Sequence, residues 1–342
     1  MSGTIAIEEA IINPKYLYTV EKYIPLLSHY ANLGSSVKDG LLDIHEKRLD
    51  SMNKHGVEYM VLSITSPGSQ DEADPALAEK MAYDNNNFLA AEVKKNPRRF
   101  GAFAALSMHN VHQAVAELKR AIQDLGFHGV LLNDWQTTKG EEGSEIRKYY
   151  DTPEYDPFWA AIQELDVPVY LHPRYPLPET LTEPWESRSH LLGASVGFSL
   201  DLSFHLYAIS SSGTLDRFPN VKIISGHLGE GIPFNLWRAS YWYDHMRGTS
   251  ARKSQHNYAY YWRKNFYVTT AGTYTTPGLK LAIGELGIDR CLYSIDTPYN
   301  NIEEAQTWWK DADLTPTDKI LVGRDNAIKL LKLPLELKSS QN

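Results

Sequence analysis

The run Ile223-Ile224-Ser225-Gly226-His227-Leu228-Gly229-Glu230 carries an apolar strand straight into an imidazole and a carboxylate, at the point where buried β structure gives way to a loop. Three other apolar runs end in chemically able groups. Glu8 follows Thr4-Ile5-Ala6-Ile7, His172 follows Val169-Tyr170-Leu171, and Asp296 follows Leu292-Tyr293-Ser294-Ile295. A set of strands that finish together in metal ligands describes a metal site at the mouth of a parallel barrel.

Outward from these runs, strands are expected near 4–8, 58–64, 99–106, 127–133, 168–172, 221–227, 266–271 and 291–296. Helical patterns fill the intervals. The segment 76–96 follows Asp74-Pro75, a capping residue and a first-turn proline, and stops at Asn96-Pro97. The segment 112–125 puts Val115, Leu118, Ile122 and Leu125 on one face and ends at Gly126. Asp156-Pro157 and Thr276-Pro277 open two more helices, and residues 198–212 read as another. Eight strands alternating with helices predict a (β/α)8 TIM barrel in one domain, residues 1–342, with a C-terminal helical extension at about 299–335 and a loose tail from Lys338. A doubly wound sheet is the alternative. Gly226–Gly231 does not support it, because its glycines lack the spacing of a dinucleotide loop and a histidine sits where backbone must approach the ligand.

Composition narrows the partners. A chain of 342 residues, 42% hydrophobic, can bury a full-sized core, and its net charge of −8 without a long basic cluster argues against nucleic acid or an anionic membrane. No stretch has the roughly 18 apolar residues of a membrane span, and the start lacks a basic region followed by an apolar one, so a cytoplasmic protein is expected. The one cysteine, Cys291, opens an apolar strand and reads as a packed thiol. Long loops follow the strands at 9–40, 134–152 and 173–192, on the face where barrels carry their sites. Tyr16, Tyr18, Tyr23, Tyr30, Trp135 and Trp185 in these loops either form an aromatic wall or simply pack the loops.

In a barrel strand the last inward position projects into the mouth, and Glu8, His172, His227 and Asp296 all suit it. A divalent ion on Glu8, His172 and Asp296 has mixed oxygen and nitrogen ligands and open positions for water or substrate. A core does not tolerate such groups unpaired. His205, inside a helix, reads as a hydrogen-bonded core histidine. Asn133 and Thr270 close strands four and seven, where each either orients a substrate or satisfies backbone groups. An anionic substrate also needs positive charge, for which Arg238 and Arg174 compete, with surface placement the ordinary alternative for Arg238.

The stretches Ile5-Ala6-Ile7-Glu8-Glu9-Ala10, Phe103–His109, Leu165–Pro173, Gly226–Glu230 and Gly323-Arg324-Asp325-Asn326-Ala327 together resemble the amidohydrolase-related ortho-hydroxybenzoate decarboxylases, a family that includes 2,3-dihydroxybenzoate, γ-resorcylate and salicylate decarboxylases. The resemblance implies a distorted amidohydrolase-like barrel with long loops on its C-terminal face. It also implies a carboxy-lyase that works without oxidation and without an organic cofactor, using one divalent metal ion (Zn2+, Mn2+ or Mg2+), on a small aromatic acid, as a homodimer or homotetramer. Carried onto this chain, the metal ligands are Glu8, His172 and Asp296, with His227 and Glu230 beside them. Some γ-resorcylate members have a second histidine two residues after the glutamate; here that place is Ala10, which tilts the expected substrate toward 2,3-dihydroxybenzoate, with 2,6-dihydroxybenzoate, salicylate or a methylated relative as alternatives.

Such a site is suited to this reaction. Direct loss of carbon dioxide leaves an in-plane aryl carbanion that the ring cannot delocalise, whereas protonation of the carboxylate-bearing carbon first gives a dienone whose charge rests on oxygen. Asp296 is the expected proton donor. His227, with its tautomer fixed by Glu230, either hydrogen-bonds or deprotonates the phenol. A metal-dependent hydrolase of the same superfamily is the competing reading, and a noncatalytic barrel that binds aromatic acids is a third.

Overall fold

Alternation along a strand sorts its side chains to two sides, and two buried clusters follow that parity. In the computed structural model, which describes residues 3–23, 33–140, 145–176 and 185–339, the strands are β1 (Thr4–Ile11), β2 (Val57–Ile64), β3 (Phe100–Ala102), β4 (Val130–Asn133), β5 (Pro168–His172), β6 (Lys222–Ser225), β7 (Phe266–Thr269) and β8 (Cys291–Leu292). Ile5, Ile7, Tyr59, Val61, Leu131, Tyr170, Ile224 and Leu292 face one another on the inside. Their sequence neighbours Ala6, Met60, Leu62, Val130, Leu132, Val169, Leu171 and Ile223 face the helices in a larger outer core.

All these strands are parallel. β1, β2 and β3 pair in that order, and β4 to β8 form a second run of neighbours. Two single bridges join the runs into a ring. Ala104, just beyond β3, pairs with Val130, and Glu9 of β1 pairs with Thr297, just beyond β8. The latter is reinforced by the Ala10 amide, which donates to the Thr297 carbonyl at 2.7 Å. The barrel is distorted, since the strands expected at 99–106 and 291–296 keep ladder pairing over only three and two residues. Beyond those points some backbone groups bond to side chains instead, the Ala105 amide to Asn86 Oδ1 at 2.8 Å and the Ser294 amide to Thr270 Oγ1 at 3.0 Å.

The helices follow their caps. Asp74 accepts from the Leu77 amide at 2.8 Å to open Pro75–Lys95, Asn110 caps Val111–Gln123, and Thr275 caps Thr276–Leu286. Among the described residues no helix is long and apolar enough to cross a membrane. A hairpin of Gln136–Lys139 and Glu145–Lys148 decorates the loop after β4.

The C-terminal segment closes the floor. After helix Ile302–Asp311, the helix Asn326–Leu331 presses Ala327, Ile328, Leu330 and Leu331, followed by Leu333, onto the inward residues of the strands. Arg324 grips Glu58, near the start of β2, with two bonds of 2.8 and 2.9 Å. Asp325 accepts from the amides of Lys338 and Ser339 at 3.0 and 2.7 Å, so the tail expected to be loose from Lys338 is pinned at its first two residues. Replacing Leu331, which is 2% exposed, by alanine is predicted to cost about 2–5 kcal/mol. The urea midpoint of unfolding should drop with an unchanged m-value.

Candidate active site

The first strand carries an irregularity that aims the site. With Ile5 and Ile7 pointing inward, strict alternation sends Glu8 outward. A register shift between Ala6 and Glu9 breaks that alternation, and the consecutive amides of Ile7 and Glu8 both donate to Ser294 Oγ, at 2.9 and 2.7 Å. Glu8 thereby enters the barrel mouth. Glu9 turns to the junction with the last strand, where its carboxylate accepts from Ser294 Oγ at 3.1 Å and from the amides of Ile295 and Thr297 at 3.2 Å. Burial pushes the Glu9 carboxyl up to about 7 against the opposing pull of Thr297 and Arg48. Ser294 and Glu9 were not singled out from the sequence; the only signal was two adjacent carboxylates inside an apolar strand.

Glu8, His172 and Asp296 converge. One ligand atom from each lies within 4.8 Å of the other two. Glu8 Oε2 is taken up by the Tyr170 hydroxyl and by Thr269 Oγ1 at 3.3 Å. Its other oxygen, Oε1, is buried without a hydrogen-bond partner, 3.3 Å from His172 Nε2 and 3.7 Å from His227 Nε2. The His172 Nδ1–H donates to the Pro173 carbonyl at 2.7 Å, which leaves the Nε2 lone pair facing Glu8. Asp296 comes from a left-handed residue, φ 79°, directly after the buried Ile295.

Charge explains what these groups lack. Burial raises the Glu8 carboxyl, but the charge on His227, with His172 close by, outweighs it and holds the group down at about 2. Burial and the Glu8 charge push Asp296 well above the usual carboxylate range, and His227 opposes them only in part. Two carboxylates this close do not both ionise without a cation between them. An orphaned, buried carboxylate oxygen, an imidazole lone pair and a second carboxylate make a donor set that fits a divalent ion.

The stretch after β6 is a left-handed turn. His227, Leu228, Gly229, Glu230 and Gly231 have φ of 52, 56, 82, 54 and 75°. For the three non-glycine residues this costs roughly 1–2 kcal/mol each, strain of a kind that persists where the surroundings over-determine a functional geometry. It brings His227 Nδ1 within 2.6 Å of Glu230 Oε1. Burial lowers His227, but the Glu230 and Glu8 charges outweigh it and raise the ring to about 10. Gly226 is constrained differently: a Cβ there sits 2.7 Å from Glu8 Oε2.

These groups open on a cavity of about 650 Å³, with His172, His227, Glu230 and Asp296 in its lining. Tyr23 joins it as the sequence allowed, its hydroxyl donating to Asp71 at 2.7 Å and its ring stacked on Tyr175 with centroids 6.0 Å apart. The other expected wall rings do not. Tyr16 bonds Asp84, Tyr18 is exposed, Trp135 is buried against Arg174 and Arg147, and Trp185 lies outside the lining; Tyr30 falls outside the described residues.

Three expected substrate contacts are placed elsewhere. Asn133 Nδ2 ties down the loop after β2 through the Pro67 carbonyl at 2.9 Å and Gln70 at 3.0 Å. Thr270 Oγ1 donates to the Ser294 carbonyl at 2.9 Å, bracing β7 against the last strand. Arg238 lies one turn beyond Phe234 on helix Ile232–Asp244, on the same exposed face, and does not line the cavity within this chain. Arg174 is fully buried on Asp71 and on two carbonyls, which makes it structural. His205 is the core histidine expected, bonded to Asp134 at 2.9 Å and to the Tyr150 amide at 3.1 Å.

Ser294→Ala removes the acceptor that holds the irregularity in β1. Affinity for a divalent ion, measured by calorimetric titration, is predicted to weaken at least tenfold while circular dichroism stays that of the parent. Gly226→Ala should weaken it in the same way by displacing the Glu8 carboxylate.

Comparison with known proteins agrees with this geometry. The amidohydrolase family model matches residues 26–333. A γ-resorcylate decarboxylase of Polaromonas sp. is 37% identical over 333 residues, covering 97% of this chain and 99% of that protein. Among solved structures, 2,6-dihydroxybenzoate decarboxylase complexed with 2,6-dihydroxybenzoate superposes with a TM-score of 0.90 at 36% identity, over 97% of this chain and 100% of that one. A dihydroxybenzoic acid decarboxylase from Polaromonas sp., with bound manganese and the inhibitor 2-nitroresorcinol, does so with the same TM-score and identity over 98% of both chains. The chain belongs to the amidohydrolase family, on its branch of aromatic acid decarboxylases.

Proposed function

We propose that this chain removes carbon dioxide from 2,6-dihydroxybenzoate, holding one divalent ion on Glu8, His172 and Asp296. The observation that carries the reading is the buried, unpartnered Oε1 of Glu8 facing His172, in a chain 37% identical to a γ-resorcylate decarboxylase. The substrate inferred from Ala10 is corrected. The relatives favour the 2,6 isomer over 2,3-dihydroxybenzoate. They are decarboxylases, which also sets aside the hydrolase and noncatalytic readings. Manganese in the Polaromonas structure favours that ion over zinc or magnesium.

When bound, the ion supplies the positive charge that draws the substrate carboxylate and its ortho oxygen into the site. The residues do the rest. Asp296 takes the phenolic proton and delivers it to the ring carbon that bears the carboxylate. The carbon–carbon bond then breaks, its electron pair returns to the ring, and carbon dioxide leaves as aromaticity is restored. Burial among Glu8, Glu9 and Glu230 is what makes Asp296 a willing proton carrier. His227, held in orientation by its 2.6 Å contact with Glu230, hydrogen-bonds the phenolic oxygen.

A homo-oligomer follows from the same reading. Helix Ile232–Asp244 exposes Phe234, Trp237, Tyr241 and Trp242 along one face, a stripe that a second copy covers. Trp237→Glu is predicted to shift the sedimentation coefficient toward that of the 38.8 kDa monomer.

Asp296→Asn is predicted to cut kcat at least a thousandfold and to stop deuterium entry at the ring carbon, with substrate binding partly retained. Near-normal turnover rejects the acid role. Dialysis against a chelator should abolish carbon dioxide release and lower Tm, and excess manganese at 100 times Kd should restore both, adding about 2.7 kcal/mol of stability.

A further inference from the structure

The cavity is far larger than the molecule assigned to it. Pockets of about 300–1,000 Å³ bury drug-sized ligands, and about 650 Å³ falls within that range, whereas one benzene ring with three small substituents fills only a fraction. Its chemistry is also divided. The groups that handle the carboxylate and hydroxyl sit at strand ends, while further out, beside loop residues such as Ser66, Thr273 and Asn300, an apolar part of the lining comes from helix residues. These are Val20, Phe198 near the start of Gly197–Ser211, Pro233 and Phe234 at the start of Ile232–Asp244, and Leu281 in Thr276–Leu286. Phe198 continues the wall, packed edge-on to Tyr175 with centroids 4.8 Å apart, and Tyr175 stacks in turn on Tyr23. Leu281, 42% exposed, marks the outer rim, and Phe234 stands where that rim meets the face assigned above to a second copy. A dihydroxybenzoate anchored at the strand ends leaves this apolar half unfilled.

We propose that the outer half is a subsite for an apolar ring substituent, and that the preferred substrates are ortho-hydroxybenzoates bearing an alkyl chain on the ring edge opposite the carboxylate. The inference rests on the decarboxylase reading and extends it. With the carboxylate and ortho hydroxyl directed at His172, His227 and Asp296, the far ring edge is the position that points to Phe198 and Leu281. Each methylene moved from water into such a lining tightens binding about fourfold.

The test uses 4-alkyl-2,6-dihydroxybenzoates, from the unsubstituted acid to a five-carbon chain, with 5-alkylresorcinols as binding probes in calorimetric titration. The expected result is that kcat/KM and resorcinol affinity both rise with chain length, by about fourfold for each of the first carbons. Leu281→Trp and Phe198→Trp should collapse the ratio of the alkylated to the parent acid at least tenfold. Turnover of the parent acid with a flat or falling series overturns the subsite and leaves the decarboxylase reading standing. No carbon dioxide from any member, and no binding of any resorcinol, overturns both.

Discussion

One serine hydroxyl accepting two consecutive amides sets the geometry of the centre. Ser294 Oγ takes the N–H groups of Ile7 and Glu8, so the first strand slips out of register and turns one carboxylate inward and the next outward. Both orientations matter. The inward one, Glu8, brings a buried negative charge to His172 and Asp296. The outward one, Glu9, satisfies the backbone of Ile295 and Thr297, where the last strand meets the first and the ring closes. Site and closure thus share a single junction, and neither stands without it.

Much of this was legible in the residues. Apolar runs ending in Glu8, His172, His227 and Asp296 located the mouth, and capping residues such as Asp74 and Thr275 located the helices. The ladder ends were less legible at 99–106 and 291–296, because backbone there bonds to side chains and periodicity carries no record of that. Glu8 reaches the mouth through a register break held by a partner 286 residues away, which alternation along the strand does not record. The run of left-handed residues from His227 to Gly231 was similarly hidden, since two glycines in five positions only hint at it. Arg238 is exposed within this chain, and a helix position says nothing about what its face meets. The relatives favour the 2,6 isomer over the one Ala10 suggested, since a single position stands in poorly for a whole pocket.

The electrostatic logic runs through acids more than bases. Four carboxylates, from Glu8, Glu9, Glu230 and Asp296, crowd one end of a low-dielectric barrel and act on one another. Part of that field falls on His227, whose pKa it raises. The remainder holds Asp296 well above the usual carboxylate range and suits the place to a divalent ion. An active site of this kind is costly to fold, and the strained turn adds to the cost. The apolar plug formed by Asn326–Leu331 at the opposite end offsets part of it without touching the chemistry.

That plug, together with Ser294, also governs when the catalyst comes into being during synthesis. Strand one leaves the ribosome first, yet the second edge of that strand has no mate until residues 294–297 emerge, and the interior has no floor until residues 324–333 follow. A nascent polypeptide that has not yet reached residue 294 therefore holds Glu8 on an open sheet edge, with Tyr170 and Thr269 already made but without Ser294 or the neighbouring Asp296, and the site is complete only when the first strand and the last meet.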